Sequence, residues 1–379
     1  MDRKLNKKKV TIAILILILI IFTIILTILY RKNTNVRSFF DKYLFRKNIT
    51  ENTLPKIPNE NTNFFAFNDT IVGLNNNTLS FYNSSANKIS SIEIDISDPI
   101  FVAKGKYLCI AEKNGKKAYL ISNKNIVWQK DIDGKISNIS INKNGYVSIS
   151  ISDTNYRTIC KMYSDKGDEL FTTYLAKTYI IDSSISDDNK YLALAETNVS
   201  GIAVQSNIKI ISIDKALSGS SDTISYSYSA PVGDLIVNID YCSGNNLVCL
   251  YDNHISLIKD NSVTEISNLT DSNYLFADIN NKLVQIKKIK TGMVSSNLEL
   301  QTLGIPNLEK KTYSIKKEPK SMVAFGNIIA INFGTEALFI NNSGWLIKNY
   351  TSSQEIQSIT ISNNLAGIIF NDKIEILSL

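Results

Sequence analysis

The sequence is poor in the residues that most often build catalytic and metal centres. Its 379 residues include one histidine, His254, four cysteines and two tryptophans. A single histidine excludes a His-rich metal site, and cysteines at 109, 160, 242 and 249 have no zinc-site spacing. His254 has no serine or cysteine nucleophile near it, so we interpret it as a solvated or hydrogen-bonded turn residue.

The last two cysteines are not placed for a disulfide. If the segments that flank residues 243–246 pair as a hairpin, Cys242 lies opposite Leu247. In that register Cys249 lies opposite Asp240. The sulfur atoms are then offset along the ladder, and a disulfide would need another register. An exported domain without evident disulfides is more typical of a bacterium than of a eukaryotic secretory route.

Excess charge of one sign is confined to the N-terminus. The formal charge is +6, but residues 1–47 hold 11 Lys and Arg against two Asp, so the remaining residues carry about −3. A nucleic-acid-binding domain normally has a basic patch of its own. The densest local clusters, Lys310-Lys311 and Lys316-Lys317, are interpreted as part of a solvated outer strand. We therefore expect no nucleic-acid partner.

What the sequence does contain is a long apolar run, Val10–Tyr30, without a charged residue. As a helix it would be roughly 31 Å long, the thickness of a bilayer's hydrocarbon core. It predicts a transmembrane helix limited by Val10 and Tyr30, after a tail of residues 1–9. A cleaved signal peptide is the alternative. The run is longer than the usual apolar core of a signal peptide, and no small-x-small cleavage site follows it.

The orientation of this helix follows from the flanking cations. Five lie before the run and four shortly after it, so the positive-inside count is nearly balanced. The N-terminal cations are denser and lie on a very short tail, whereas a long domain is translocated largely regardless of its charge. We expect a single-pass protein of the cell membrane, with a cytoplasmic N-terminus and an extracellular C-terminal domain.

Residues 31–62 are predicted to contain a juxtamembrane helix and a linker. Five apolar residues of segment 35–48 recur at helical spacing on one face: Val36, Phe39, Phe40, Tyr43 and Leu44. This helix would either rest on anionic headgroups or pack beneath the domain. Residues 51–63 contain Pro55, Pro58 and several Asn, and are predicted to be an extended linker.

The remaining residues, 63–379, predict an all-β domain. Short runs rich in Ile, Val, Tyr and Phe alternate with Asn, Ser, Asp and Gly every five to ten residues. The runs recur as units whose first strands begin near residues 64, 100, 137, 180, 236, 274, 322 and 357. Periods near 40 with four strands each are typical of β-propeller blades. Eight openings predict eight blades, and seven remains the alternative because residues 272–317 are irregular.

Three segments carry a family resemblance. Residues 186–193, SDDNKYLA, resemble the S-x-D-x-K-x-L-A hairpin of WD40-like propellers. Residues 123–128 and 342–345 each end in tryptophan and are similar to the outer turn of quinoprotein-type blades. Over nearly its whole length the chain resembles a family of single-pass, membrane-anchored propellers of clostridia and related bacteria, whose function is uncharacterised. The resemblance implies a fold and a location but no activity.

The chain lacks several motifs of better-known propellers, and these differences determine which cofactors we expect. The Gly-His and Trp-Asp dipeptides of true WD40 repeats are absent, so their side-chain network cannot be carried over. The chain also lacks the adjacent cysteines of methanol-oxidising quinoprotein dehydrogenases and the eleven-residue tryptophan docking motif. We therefore expect no pyrroloquinoline quinone, and no other cofactor.

Carboxylates offer weak candidate sites. Asp187-Asp188 could bind calcium, but calcium needs six or more oxygens, so a hairpin turn is favoured. Asp182, on the preceding strand, points toward the axis or the core depending on register. A glycosidase would need two acids brought together across blades, and five are available: Glu93, Asp95, Glu112, Asp131 and Asp133. None forms a specific pattern, and we assign no catalytic, cofactor or metal residue.

The resulting functional hypothesis is a binding or scaffolding platform in the bacterial cell envelope, contacting the lipid bilayer through its helix and an envelope protein, peptide or glycan through its loops. The chain is not expected to be an enzyme. The alternative is an envelope hydrolase or lyase acting on wall polysaccharide, with acids converging at the propeller axis. A sensory ectodomain would have to signal through a partner, because the N-terminal tail is short.

Overall fold

A computed structural model of the chain describes residues 2–32, 51–55, 62–75, 77–269, 272–279, 282–290 and 296–379. Its strands form eight four-stranded sheets, so the predicted eight-bladed propeller is confirmed and the seven-bladed alternative is excluded. Every innermost strand begins within two residues of its predicted position. The predicted juxtamembrane helix at residues 35–48 lies outside the described residues.

Among the described residues one helix is long, α1 (Asp2–Lys32), and it contains the predicted span. Residues Val10–Tyr30 are long and apolar enough to cross a membrane, and a signal sequence would share these properties. The Thr23 and Thr27 hydroxyls donate to the carbonyls of Ile20 (2.8 Å) and Thr23 (2.7 Å). These bonds satisfy the polar groups within the apolar run.

The first four blades follow in chain order. Blade 1 contains β2–β5, after the N-terminal strand β1 (Glu51–Pro55): β2 (Asn63–Phe67), β3 (Thr70–Asn75), β4 (Thr78–Tyr82) and β5 (Lys88–Glu93). Blade 2 contains β6 (Pro99–Lys104), β7 (Tyr107–Glu112), β8 (Lys117–Ser122) and β9 (Asn125–Asp131). Blade 3 contains β10 (Lys135–Ile141), β11 (Val147–Ser152), β12 (Thr158–Tyr163) and β13 (Glu169–Leu175). Blade 4 contains β14 (Thr178–Ile185), β15 (Tyr191–Asn198), β16 (Gln205–Ser212) and β17 (Ile224–Ser229), with helix α2 (Ile213–Leu217) before β17.

The other four blades complete the ring. Blade 5 contains β18 (Ile236–Cys242), β19 (Asn246–Tyr251), β20 (His254–Lys259) and β21 (Ser262–Asn268). Blade 6 contains β22 (Ser272–Ile279), β23 (Lys282–Lys290), β24 (Ser296–Gly304) and β25 (Lys310–Ile315). Blade 7 contains β26 (Ser321–Phe325), β27 (Ile328–Asn332), β28 (Glu336–Asn341) and β29 (Leu346–Thr351). Blade 8 contains β30 (Ser358–Ile361), β31 (Leu365–Ile369), β32 (Lys373–Ser378) and the N-terminal β1.

The N-terminal strand closes the ring. Residues 51–55 belong to the segment predicted as a linker, but as β1 they pair antiparallel with β32, with Glu51 opposite Leu377. The first part of the domain thereby completes the last blade. An edge position explains how a strand ending in Pro55 is accommodated, because an outer strand has one side free of ladder hydrogen bonds.

The core lies between neighbouring blades. Each second strand is covered on both faces, so it is apolar almost throughout, as in β7, where all but the last residue is buried. Between blades 2 and 3, Cys109 and Leu120 pack with Ile136 and Ile149. Repetition of such layers around the ring explains why the strands read as continuous apolar runs rather than strict alternations.

The two faces of the ring carry different sets of turns. The four strands of a blade alternate in direction, so the turns between its first and second strands and between its third and fourth strands lie on one face, the turn face. The turns between second and third strands and the connections from blade to blade lie on the other, the connection face.

The four cysteines are free and buried, and the expected hairpin register is wrong by one residue. Cys242 pairs with Asn246, and Cys249 lies opposite Ile239. The turn is one residue shorter than expected because Asn246 already belongs to β19. Burial raises the pKa of the Cys109 and Cys160 thiols to about 12, so both are protonated and unreactive at neutral pH.

Candidate binding site at the propeller axis

The inner strands of blades 3, 4 and 5 share a β-bulge at the same position. The extra residue follows Ile136 in β10, Ile180 in β14 and Ile236 in β18. A bulge turns the following side chains relative to a regular strand. The residues after the three bulges are Asn138, Asp182 and Asn238, here called the Asn–Asp–Asn row.

Asp182 holds the row together with four hydrogen bonds. Its Oδ1 accepts from the Ser183 amide (2.9 Å) and from Asn138 Nδ2 (3.3 Å). Its Oδ2 accepts from Asn238 Nδ2 (2.6 Å) and from the Ile239 amide (3.0 Å). One carboxylate therefore connects three blades.

The environment of Asp182 favours the protonated form of its carboxyl group. Burial raises its pKa, and the nearby charge of Asp240 adds to the rise. The hydrogen bonds from Ile239, Ser183 and Asn138 act in the opposite direction without cancelling it. The carboxylate is thus costly to ionise although all of its donors are in place.

A second polar connection crosses the axis. Lys104 Nζ, at the end of β6 in blade 2, donates to Asp240 Oδ1 of blade 5 at 2.8 Å, and we call this ion pair the axial bridge. Ser184 Oγ donates to the same Oδ1 at 2.9 Å and accepts from the Tyr241 amide at 2.9 Å. The pair is partly solvated, with side chains 28% and 35% exposed.

The row and the bridge line an axial cavity of about 680 Å³. Its polar surface includes Asn138, Ser140 and Ser183, and its apolar surface includes Ile139 and Phe325. The volume lies within the range of small-ligand sites, which combine apolar walls with a few fixed polar groups. The geometry suits a polar ligand held by hydrogen bonds.

The acids considered for catalysis lie elsewhere. Glu93, Glu112 and Asp131 end strands on the connection face of blades 1 and 2, away from the axial cavity. Glu112 accepts a hydrogen bond from Ser97 Oγ (2.8 Å), which lowers its pKa. Asp95 forms an ion pair with Lys117. Among the described residues, no group of three His, Cys, Asp or Glu side chains could hold a metal ion.

The Asp187-Asp188 turn is confirmed as a hairpin turn. The Lys190 amide donates to Asp188 Oδ1 (3.1 Å), and Asn245 Nδ2 donates to Asp188 Oδ2 (2.9 Å). Burial raises the pKa of Asp188, but these hydrogen bonds outweigh it and the pKa is lowered. Lys143 Nζ lies 3.0 Å from Asp187 Oδ2, so this carboxylate pairs with an ammonium.

His254 begins β20 rather than lying between two strands. Its ring stacks on Tyr251 with centroids 4.2 Å apart, and its Nδ1 lies 2.5 Å from Asn253 Oδ1. The expected hydrogen-bonded role agrees with these contacts.

Sequence reasoning missed most of the axial site. It named Asp182 without deciding its direction and passed over Asn138, Asn238 and the axial bridge. The repeats contained a signal for this row. Residues 136–141 (ISNISI), 180–185 (IIDSSI) and 236–241 (IVNIDY) align so that their third residues are Asn138, Asp182 and Asn238. Aligning the inner strands with one another would have predicted the row.

The connection face of blades 4 and 5 carries six exposed apolar side chains, here called the connection-face patch: Val199, Ile202, Val204, Val232, Leu235 and Val237. Ile202 is fully exposed and Val232 is 73% exposed. Val237 is the extra residue of the β18 bulge and is 52% exposed, so an apolar side chain directly precedes Asn238 on this strand.

Aromatic residues extend the patch toward blade 3. The rings of Tyr156 and Tyr174 pack at an angle of 45° with centroids 4.9 Å apart, and Tyr174 is 57% exposed. Arg157 Nη1 donates to Tyr179 Oη at 2.8 Å, with the guanidinium 5.5 Å from the ring centroid. Tyrosine and arginine are enriched in the centres of protein interfaces.

The sequence profile of a family of unknown function, DUF5711, matches residues 41–379. The chain belongs to DUF5711. No curated protein sequence matches this DUF5711 chain. The matched region begins after α1 and covers all eight blades, so the family is defined by the propeller together with the segment that precedes it.

Solved structures resemble this DUF5711 propeller at low sequence identity. Sqt1 from Chaetomium thermophilum, bound to the N-terminus of ribosomal protein L10, has a TM-score of 0.52 at 9% identity, over 87% of this chain and all of that one. The dihydro-heme d1 dehydrogenase NirN in complex with DHE has 0.50 at 10% identity, over 84% and 71%. BamB from Moraxella catarrhalis has 0.49 at 10% identity, over 88% and 100%. These similarities concern the fold alone.

Proposed function

We propose that this protein is a binding platform anchored in the cytoplasmic membrane of a bacterium such as a clostridium, with the propeller outside the cell. Helix α1 is the uncleaved anchor, and the connection-face patch receives an envelope protein. The observation that carries the proposal is the exposure of six aliphatic side chains on one face of the ring.

Exposed apolar groups on this scale favour a protein partner. Burying a Val, Leu or Ile side chain gains about 1.5–3 kcal/mol relative to leaving it in water. Contiguous exposed apolar surface on a soluble domain usually marks an interaction site. The loops that carry Val199, Ile202 and Val232 are held by strands of two adjacent blades, so a partner meets a preformed surface and orders little chain on binding.

The known propeller complex adds support at the level of the fold. Sqt1 holds the N-terminus of another protein. A ring of similar fold can therefore bind a polypeptide.

The axis is the basis for the alternative, an envelope enzyme. Asp182 and Asp240 both line the cavity, and the pKa of Asp182 is raised, as is common for a general acid. However, Asp182 already accepts four hydrogen bonds, and Asp240 is engaged by Lys104 and Ser184. Carboxylates held in this way are better suited to fixing the blades than to exchanging protons with a substrate.

A photo-crosslinking experiment tests the binding proposal. A photoreactive amino acid replaces Ile202 in intact cells, and the control places it at Asn123, on the turn face of blade 2. We expect a discrete protein adduct at position 202 that is absent at 123 and disappears when Val199 and Val204 are changed to Ser. Adducts of equal yield at both positions, or adducts only with wall glycan, would contradict a protein-binding patch.

Protease treatment of intact cells tests the location. With a C-terminal tag, digestion of the tag on intact cells is expected if the propeller lies outside. Protection until the cells are lysed would place the propeller in the cytoplasm and reverse the proposed orientation. Release of a tagged, shortened chain into the medium would identify α1 as a cleaved signal sequence.

A further inference from the structure

The turn face of blades 6 and 7 combines exposed apolar side chains with lysines. Two large apolar side chains project from its third–fourth strand turns, Leu308 in blade 6 and Trp345 in blade 7, each 38% exposed. The two turns are adjacent, since Thr302 Oγ1 donates to the Asn342 carbonyl across the blades (3.5 Å). Leu308 has a φ of +56°, a conformation that a bulky residue seldom adopts.

Lysines surround these apolar tips. Lys282, Lys310 and Lys311 begin strands β23 and β25 on the same face, and with Leu308 and Trp345 they form what we call the blade 6–7 rim. One acid, Glu309, lies 3.6 Å from Lys311. Burial and, to a lesser extent, the charge of Lys311 lower the pKa of Lys282, while Glu309 acts in the opposite direction.

On the turn face of blades 3 and 4, by contrast, lysines pair one to one with aspartates. The pairs are Lys143–Asp187 (3.0 Å), Lys190–Asp188 (3.8 Å) and Lys215–Asp222 (3.5 Å). The rim therefore carries a net positive charge that these turns lack. Basic residues beside exposed apolar tips complement an anionic lipid surface.

The anchor itself meets the rim. Tyr30, the last residue of the apolar run, is 7% exposed and its ring lies 4.8 Å from that of Trp345. Tyrosine and tryptophan concentrate where a membrane helix crosses the headgroup region. The depth of Tyr30 therefore sets the depth of Trp345 at the bilayer surface.

The path of the chain agrees with this placement. Strand β1 pairs with β32 so that Glu51 lies at the turn-face end of blade 8, next to blade 7. The helix thus ends, and the propeller begins, on the same face and on neighbouring blades.

We propose that the blade 6–7 rim docks onto the anionic headgroups of the bilayer that holds α1, so that the turn face lies toward the membrane and the connection face points away from it. This inference rests on the anchoring part of the proposed function. It explains how the connection-face patch stays accessible: two copies anchored in one membrane both point this face outward and cannot bring the two patches together.

Fluorescence in proteoliposomes tests the depth of the rim. Because the four native thiols are buried, a single introduced cysteine can be labelled in the full-length chain with an environment-sensitive dye. Leu308→Cys places the dye on the rim, and Ile202→Cys is the matched control on the other face. With headgroup-level quenching lipids, we expect quenching at 308 and none at 202.

A charge exchange tests the headgroup contact. Lys310→Glu with Lys311→Glu alters the rim end of β25, and Lys316→Glu with Lys317→Glu alters the residues after its other end by the same charge. In vesicles containing one-third phosphatidylglycerol, the first variant is expected to weaken docking by at least about 25-fold: about fivefold for each lysine charge removed, with repulsion from the two introduced glutamates in addition. The second should leave docking unchanged, because residues 316 and 317 follow β25 at its connection-face end, away from the rim.

The outcomes separate this inference from the proposed function. A chain that floats with the vesicles while the dye at 308 stays unquenched would keep the anchor and overturn the rim contact. Equal quenching in pure phosphatidylcholine, unchanged by the charge exchange, would overturn the anionic headgroup as its partner. Failure to float with vesicles would overturn both, and quenching at 202 instead of 308 would reverse the orientation.

Discussion

At the scale of single residues, Asp182 shows how the fold balances burial against hydrogen bonding. An ionised carboxylate loses hydration on burial, and each donor it accepts from returns part of that loss. Here four donors hold the carboxylate in the ring, yet its pKa remains raised. The residue therefore ties three blades together at the expense of stability at neutral pH.

We predict a pH dependence from this shift. The folded state binds the Asp182 proton more tightly than the unfolded state, so the free energy of unfolding falls as pH rises from the ordinary aspartate pKa to the raised one. In Asp182→Asn this component is absent. The side-chain nitrogen of the introduced asparagine would face N–H groups that donate hydrogen bonds to the native carboxylate. The variant should therefore be about 1–3 kcal/mol less stable at neutral pH. Urea unfolding between pH 3 and 7 measures both effects, and an unchanged pH profile in the variant would contradict the assignment.

Gly145 is a second residue with a specific backbone requirement. Its φ is +86°, and a Cβ built there would lie 2.8 Å from the Tyr107 ring. Gly219 has a φ of +73° with no atom within 4 Å of such a Cβ. Gly219→Ala should therefore lower the free energy of unfolding by only about 1–2 kcal/mol, because alanine is strained in the left-handed conformation. Gly145→Ala should cost about 1–3 kcal/mol more because it also overpacks the blade 2–3 contact. Equal losses in urea unfolding would exclude the steric part.

At the scale of elements, ring closure depends on a short strand far from its partner in sequence. Strand β1 pairs with β32 over five residues, and the Ala66 amide donates to Thr360 Oγ1 (2.6 Å) to join blades 1 and 8. The last blade contains one strand from the other end of the chain. The ring therefore resists opening, because opening it requires β1 to separate from β32.

The strand can be tested by deletion. Removal of residues 1–55 should leave β32 as an open edge, lower the melting temperature and favour aggregation, because an unpaired edge is a template for other chains. Removal of residues 1–50 keeps β1 and is the matched control. The difference should correspond to about 2–5 kcal/mol, from about five net backbone hydrogen bonds. Equal melting temperatures would mean that β1 does not stabilise the ring.

At the scale of the whole molecule, the axial bridge is a contact across the ring rather than between neighbours. Lys104 and Asp240 are 136 residues apart in sequence and belong to blades 2 and 5. Most other connections join adjacent blades, so each blade could shift with its neighbours. A tie across the cavity restricts such motion.

A double-mutant cycle measures the bridge. Lys104→Met and Asp240→Asn, alone and combined, should show a coupling of about 0.5–1 kcal/mol in the free energy of unfolding, because both side chains are partly solvated. The coupling should decrease in 1 M salt. A coupling of zero at low salt would mean that the axial bridge does not stabilise the ring.

The sequence by itself determined the repeated part of this protein. Apolar second strands and turns such as residues 142–145 and 186–190 are local patterns, because burial between blades and turn chemistry act over a few residues. Recurrence of these patterns gave the propeller and all eight inner strands. The apolar run Val10–Tyr30 was equally evident, since the hydrophobicity of one helix needs no other part of the chain.

Only the tertiary structure decided what the ring assembles from distant residues. The bulge after Ile180 turns Asp182 to the axis, where it contacts Asn238, a residue 56 positions later in the sequence. The strand that was predicted as a linker completes the last blade. The blade 6–7 rim is a further example. From the sequence, Lys310 and Lys311 were only part of an outer strand, whereas the fold places them on the rim whose Trp345 contacts Tyr30 at the end of the apolar run. Their proximity depends on closure of the ring and on which face each turn occupies, and both follow from long-range strand pairing rather than from the residues beside them.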